Sequence, residues 1–131
     1  MEKKTLKSFK DLLVWQKVAN LAIRIYKTTD NFPRSEIYGL SNQMRRAVIS
    51  ISSNIAEGFK RIHQKEKSQF YNTAYSSVAE LESQTEISRE LGFLLYKDYQ
   101  ELYPLLVEVS KMMDGLIQSL NSKSYILYPR K

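Results

Sequence analysis

Apolar residues recur along most of this chain at spacings of three and four and hardly ever in strict alternation, which predicts helices and no strands. Four helices are expected, over about 9–28, 36–62, 65–91 and 98–120. The turn-rich stretch Asp30-Asn31-Phe32-Pro33 ends the first. Ser35 reads as the N-cap of the second, with Glu36 in the first turn where the helix dipole favours an anion. Gly92 is placed to close the third. Asp98 with Glu101 makes a capping-box pattern for the fourth, and Pro104 should bend that helix or delay its start. Residues 122–131 read as a short tail containing Tyr125, Tyr128, Arg130 and Lys131.

At about 100° per residue, Met44, Ala47, Val48, Ile51 and Ile55 fall on one side of the second helix. Arg46, Ser50, Ser53, Asn54 and Glu57 fall on the other. The fourth helix carries one seam, Leu102, Leu105, Val109, Met112, Leu116 and Leu120, with Met112 and Met113 as core filler. The third has a seam of mostly small residues: Phe70, Ala74, Ser77, Val78, Leu81, Thr85 and Ser88. Short connections between long helices make neighbours antiparallel. The expected fold is therefore all-α, an up-down-up-down four-helix bundle in a single domain over 1–131.

The first helix is too apolar for one core. Leu12, Trp15, Ala19, Ala22 and Tyr26 form one stripe, and Val14, Val18, Leu21 and Ile25 a second. With Ile23 they cover an arc of about 200°, where a bundle helix needs little more than about 100°. Assigning the first stripe to the core leaves the second for another subunit, so a homo-oligomer is expected. The polar row Ser50, Asn54 and Glu57 suits either plain surface or a close helix–helix contact between subunits.

Composition narrows the chemistry. Hydrophobic residues are 43% and charged residues 26% of the 131, as in a globular protein. No apolar run approaches the ~20 residues of a membrane span, and the start Met1-Glu2-Lys3-Lys4-Thr5 has no apolar signal segment, so a cytoplasmic protein is expected. With no cysteine, disulfides and thiolate sites are excluded. Four isolated glycines make no phosphate-binding loop. The single histidine, His63, sits in a Lys/Arg cluster and reads as solvated or phosphate-contacting, not as a general base. Glu82, Glu86 and Glu90 share a helix face but lack the Glu-x-x-His pairing of di-metal bundles, and read as an acidic edge. No catalytic residue, metal or cofactor is assigned.

The net charge of +6 is segregated. Lys3, Lys4, Lys7 and Lys10 crowd the N-terminus, and Lys60, Arg61, His63, Lys65 and Lys67 surround the junction of the second and third helices. Such clusters attract polyanions, and they also simply solvate surfaces. The 60–67 cluster is the first candidate nucleic-acid surface, with Arg45, Arg46 and the N-terminal lysines second.

Several motifs resemble a known family of small bacterial four-helix bundles. They are Phe9-x2-Leu12-x2-Trp15-Gln16-Lys17, Phe32-Pro33-x2-Glu36-x-Tyr38-Gly39-Leu40, the stretch from Gln43 to Gly58, and Ser77-Val78-x-Glu80-Leu81-Glu82. The family includes proteins encoded in intervening sequences of 23S rRNA genes and the accessory variability determinant of diversity-generating retroelements. The resemblance covers residue 9 to about 120. It implies the same bundle, a ring of five subunits, and, for the retroelement branch, partners that are nucleic acid and a reverse transcriptase. The resulting expectation is a non-enzymatic homopentamer that binds RNA or DNA, or a protein acting on them. The alternative is a structural or protein-interaction module whose basic charge is incidental.

Overall fold

A computed structural model describes the backbone of residues 6–127 and the side chains of 6–121. Lys3, Lys4 and the side chains of Tyr125, Tyr128, Arg130 and Lys131 lie outside the described residues. Four α-helices form: α1 Leu13–Thr29, α2 Leu40–Lys60, α3 Gln64–Glu90 and α4 Tyr96–Leu127. Among the described residues there is no strand. Each helix packs on its chain neighbours and α1 closes on α4, so the four stand at the corners of a square. The α1–α2 side therefore lies opposite the α3–α4 side.

The helix ends show local chemistry at work. A 3-10 turn, Phe9–Asp11, precedes α1; the Ser8 hydroxyl accepts from the Lys10 N–H while the Asp11 carboxylate accepts from the Ser8 N–H. α2 begins at Leu40, later than expected, because Arg34–Glu36 form a separate 3-10 turn. Ser35 is no cap. The Glu36 carboxylate, one turn back, accepts from the Leu40 N–H at 3.0 Å and fills that role. At the end of α3, Gly92 adopts φ 78°; Phe93 N–H donates to Ser88 C=O and Gly92 N–H to Arg89 C=O, a Schellman closure. α4 starts at Tyr96 and runs through Pro104 to Leu127, past the expected end near Leu120. Pro104 is exposed, as is Gln100, whose carbonyl it leaves without an intrahelical donor, so solvent can satisfy that group.

The core runs the length of the square: Val18, Leu21 and Ile25 meet Met44, Val48, Ile51 and Ile55, with Val78, Leu81, Leu102, Leu106 and Met113 opposite. Each large apolar side chain buried there contributes about 1.5–3 kcal/mol. Of the expected α4 seam, Leu102 and Val109 are buried, and Leu105, Met112, Leu116 and Leu120 pack half-buried beside Leu106 and Met113. In α3, Tyr71 takes the buried place expected of Phe70.

In α1 the two stripes exchange roles. Val14, Val18, Leu21 and Ile25, expected at a subunit interface, are the intramolecular core, the last three with no exposed surface. Leu12, Trp15, Ala19 and Ala22 are half-buried on the flank toward α2, and Tyr26 is exposed there. The β-branched and leucine row faces the interior, between α2 and α4. Trp15 instead closes edge-on against Phe9 (5.0 Å), and Tyr26 lies under the Arg45 guanidinium (4.6 Å).

Candidate nucleic-acid interface

Antiparallel packing brings the N-terminal turn, the end of α2 and the start of α3 to one end of the bundle. Gln64 Nε2 donates to Leu120 C=O at 2.6 Å and fastens α4 there too. Lys7 and Lys10 thus lie at the same end as the 60–67 cluster, although they are far from it in sequence. Lys60, at the last position of α2, and His63 and Lys65, at the start of α3, are exposed and form no ion pair among the described residues.

Two members of the cluster are engaged inside the molecule. Lys67 Nζ donates to Gly58 C=O (2.9 Å), which also accepts from Arg61 N–H, and to Phe59 C=O (2.7 Å), two carbonyls of the last turn of α2. Arg61 reaches the Glu57 carboxylate at 3.5 Å and lies 4.8 Å from the Phe70 ring centre. The set of basic side chains left facing solvent is therefore smaller than the sequence suggests: Lys60, Lys65, His63, Lys7 and Lys10, with Arg61 at its margin.

The second-choice arginines separate in the same way. Arg45 is a staple. Its Nε donates to Thr29 Oγ1 at 2.8 Å, and its Nη2 to Tyr26 C=O and the Asp30 carboxylate, tying the end of α1 to α2. Arg46 is exposed and makes no ion pair among the described residues; it borders a groove with Tyr38, Asn42, Ser50 and Glu80.

Of the polar row of α2, Ser50 meets α3, Asn54 bonds back along its own helix, and Glu57 is exposed beside Arg61. Ser50 and Ser77 share a hydrogen bond of 2.9 Å across α2 and α3, and Asn54 Nδ2 donates back to Ser50 C=O. Small side chains do permit a close helix contact, as the sequence implied, but the partner is the chain's own α3. Gly58 marks the tightest point, where an added Cβ would stand 2.5 Å from Tyr71 Cε1. Burial raises the Tyr71 phenol above its usual range.

An unforeseen cluster occupies the α3–α4 side. Tyr99 Oη donates to Glu86 at 2.7 Å, stacks on Tyr103 (5.6 Å), and lies beneath the Arg89 guanidinium (4.3 Å). The bond to Glu86 is the main reason its phenol titrates above the ordinary value. The spacing Tyr96-x2-Tyr99-x3-Tyr103 opposite Glu82-x3-Glu86 was the available signal, since both rows face one way at helical periodicity. Among the described residues no three His, Asp or Glu side chains group as a metal site would need. No described helix is long and apolar enough to cross a membrane.

The family described as 23S rRNA-intervening sequence protein matches residues 10–115. Among solved structures, a protein with unknown function from the S23 ribosomal protein family of Bacteroides thetaiotaomicron VPI-5482 superimposes with a TM-score of 0.74. The two share 20% identity over 81% of this chain and 96% of that one, a likeness of fold. Comparison with curated proteins gives no match.

Proposed function

The chain belongs to the 23S rRNA-intervening sequence protein family, and from that premise we propose that it is a non-enzymatic, oligomeric bundle that binds RNA or DNA through one basic end. The observation that carries this is that the antiparallel fold puts exposed Lys7 and Lys10 at the same end of the bundle as exposed Lys60, His63 and Lys65. Asp11 and Glu57, the carboxylates nearest them apart from Glu66, are engaged in the Ser8 cap and with Arg61. Phosphate contact of this kind supplies sequence-independent affinity. The rRNA in the family's name makes RNA the first polyanion to test. The resemblance noted above sets five as the subunit number of the proposed homopentamer. In a retroelement setting, a reverse transcriptase would be the protein partner.

A non-catalytic role is supported by the placement of His63, which stands exposed at the N-cap of α3 away from the buried carboxylate or polar cleft that acid–base work requires. A protein-interaction module is the second reading, favoured by Tyr38, 92% exposed beside the exposed Ile37.

Fluorescence anisotropy with labelled RNA and DNA across a salt series tests the first reading. Binding should fall by roughly 0.7–0.9 log units per phosphate neutralised for each tenfold rise in salt. Replacing Lys10, Lys60 and Lys65 by alanine should weaken binding and flatten that slope. Lys67→Ala should instead lower stability, because its ammonium caps α2. No retention of either nucleic acid at about 50 mM salt, where such contacts are strong, would leave the interaction-module reading in its place.

A further inference from the structure

We infer that the cleft between α2 and α3 beside Tyr38 takes an unpaired guanine base of a single-stranded RNA. The cleft stands toward the other end of the bundle from the lysine cluster and does not depend on it. Phosphate contact at the basic end reads no sequence. A base held in this cleft would be read.

The corner that carries Tyr38 is fixed by its own backbone. Ile37 N–H donates to Arg34 C=O at 3.2 Å and Gly39 N–H to Glu36 C=O at 3.0 Å, while the Glu36 carboxylate accepts from Leu40 N–H at the start of α2. Glycine is needed at position 39, because a Cβ there would stand 2.6 Å from Glu36 Oε1. A well-held corner thus presents an aromatic ring that is 92% exposed. Bases of unpaired RNA stack on rings presented in this way.

The cleft beside the ring supplies contacts for the edges of the base. It has a volume of about 490 Å³, within the range of small-ligand sites, and is lined by Tyr38, Asn42, Gln43, Arg46, Ser50 and Glu80, with Ala47 as an aliphatic wall. Arg46 and Glu80 are exposed and form no ion pair, with each other or with any other described residue. The side-chain amides of Asn42 and Gln43 form no hydrogen bond among the described residues either.

An unpaired guanidinium and an unpaired carboxylate in one cleft suit a ligand with both acceptors and donors. Guanine has them on adjoining edges of one plane. Its O6 and N7 accept the arginine fork, and its N1–H and N2 amino group donate to a carboxylate. Cytosine lacks the O6 and N7 pair, and uracil has no amino group for Glu80. Hydrogen bonds to charged groups are roughly twice as strong as neutral ones, so Arg46 with Glu80 outweighs the contact that Asn42 or Gln43 offers adenine. Glu80 repels a bare phosphate. A protein anchor with an apolar tip finds only Ala47 to pack on.

The two contacts are separable by distance and by salt. The 21 residues of α2, about 30 Å at 1.5 Å each, lie between this cleft and Lys60. The charges of Arg46 and Glu80 cancel, so the cleft adds base preference and little salt dependence.

Anisotropy with labelled octauridylate, and with the same octamer carrying one central guanosine, tests the site; circular dichroism verifies that each variant folds. The native chain should bind the guanosine-bearing octamer about 5–100-fold more tightly, the discrimination of a bidentate base contact. Pairing that guanosine with a complementary strand should abolish the preference, because its N1 and N2 edge is then taken. Tyr38→Ala should weaken the guanosine-bearing octamer by about 5–100-fold, the loss of one stacked base, and Tyr38→Phe should not. Glu80→Gln should bring its affinity close to that of octauridylate with the salt slope unchanged. Alanine at Lys10, Lys60 and Lys65 should instead flatten the slope and leave the ratio of the two affinities as it was. Equal affinities of the native chain for the two octamers overturn the base site and leave Tyr38 and Ile37 to a protein partner. A preference that survives both Tyr38→Ala and Glu80→Gln overturns it too. Adenosine bound as tightly as guanosine would overturn the guanine assignment and move recognition to Asn42 and Gln43. None of these results bears on the basic end, which stands or falls on its own salt slope.

Discussion

Two helical glycines, Gly58 and Gly115, show how a single residue's worth depends on what stands opposite it. At Gly115 an added methyl meets nothing within 4 Å, whereas at Gly58 it meets the ring of Tyr71, which is itself buried. Gly115→Ala should raise stability by up to ~1 kcal/mol through helix propensity alone. At Gly58 the same change adds overpacking of about 1–3 kcal/mol, which outweighs that gain. Urea denaturation of the two variants should move the midpoint in opposite directions. An unchanged or higher midpoint for Gly58→Ala would mean that the Tyr71 ring moves aside freely and that the α2–α3 contact is looser than the geometry states. The basic residues obey the same logic. Lys67 and Lys65 are indistinguishable as letters in a cluster, yet one caps a helix and the other faces solvent, and only the backbone carbonyls of Gly58 and Phe59 separate them.

At the scale of elements, the seam of α2 was legible because it has a single apolar stripe against a polar remainder, so periodicity alone picks the buried side; in α4 apolar residues adjoin at Leu105–Leu106 and Met112–Met113, and the fully buried member of each pair is the second. Gly92 was legible for a similar reason: its positive φ excludes most other residues. α1 was not, since two apolar stripes about 100° apart satisfy the same periodicity and Trp15 and Tyr26 looked the more valuable to bury. The structure seats the slimmer Val14, Val18, Leu21 and Ile25 inside, where three helices converge, and uses the two aromatics as flanking covers. The late start of α2 was hidden because the cap comes from a side chain four residues back and not from a residue at the boundary. The burial of this stripe decides what a mutant in it should do. Val18→Glu with Leu21→Glu puts two carboxylates into fully buried sites and should unfold the bundle, with large loss of the helical dichroism signal at 25 °C. Retained helicity with a reduced mass would instead restore those residues to a subunit interface.

Seen whole, the molecule separates its charge along two directions: basic from acidic side to side, and basic at one end. In the homo-oligomer proposed above, each subunit would add its own Lys60, His63 and Lys65 to the assembly. On the nucleic-acid reading, a single basic end would hold few phosphates, and its affinity at physiological salt would be modest. Repeated in the proposed assembly, the same contacts would bind one polyanion many times over, and linked sites of this kind gain about 10²–10⁴ in affinity without any new contact. A surface variant that runs as the 15.3 kDa monomer and keeps Lys60, His63 and Lys65 should bind a long RNA at least about 10²-fold more weakly than the native assembly. For an oligonucleotide short enough to touch one subunit, the two should be nearly equal once concentrations are counted per subunit. Anisotropy titrations with both lengths measure that difference. Equal loss on short and long RNA would show that the variant damages the binding surface itself, and equal retention on both would show that assembly contributes nothing to nucleic-acid affinity.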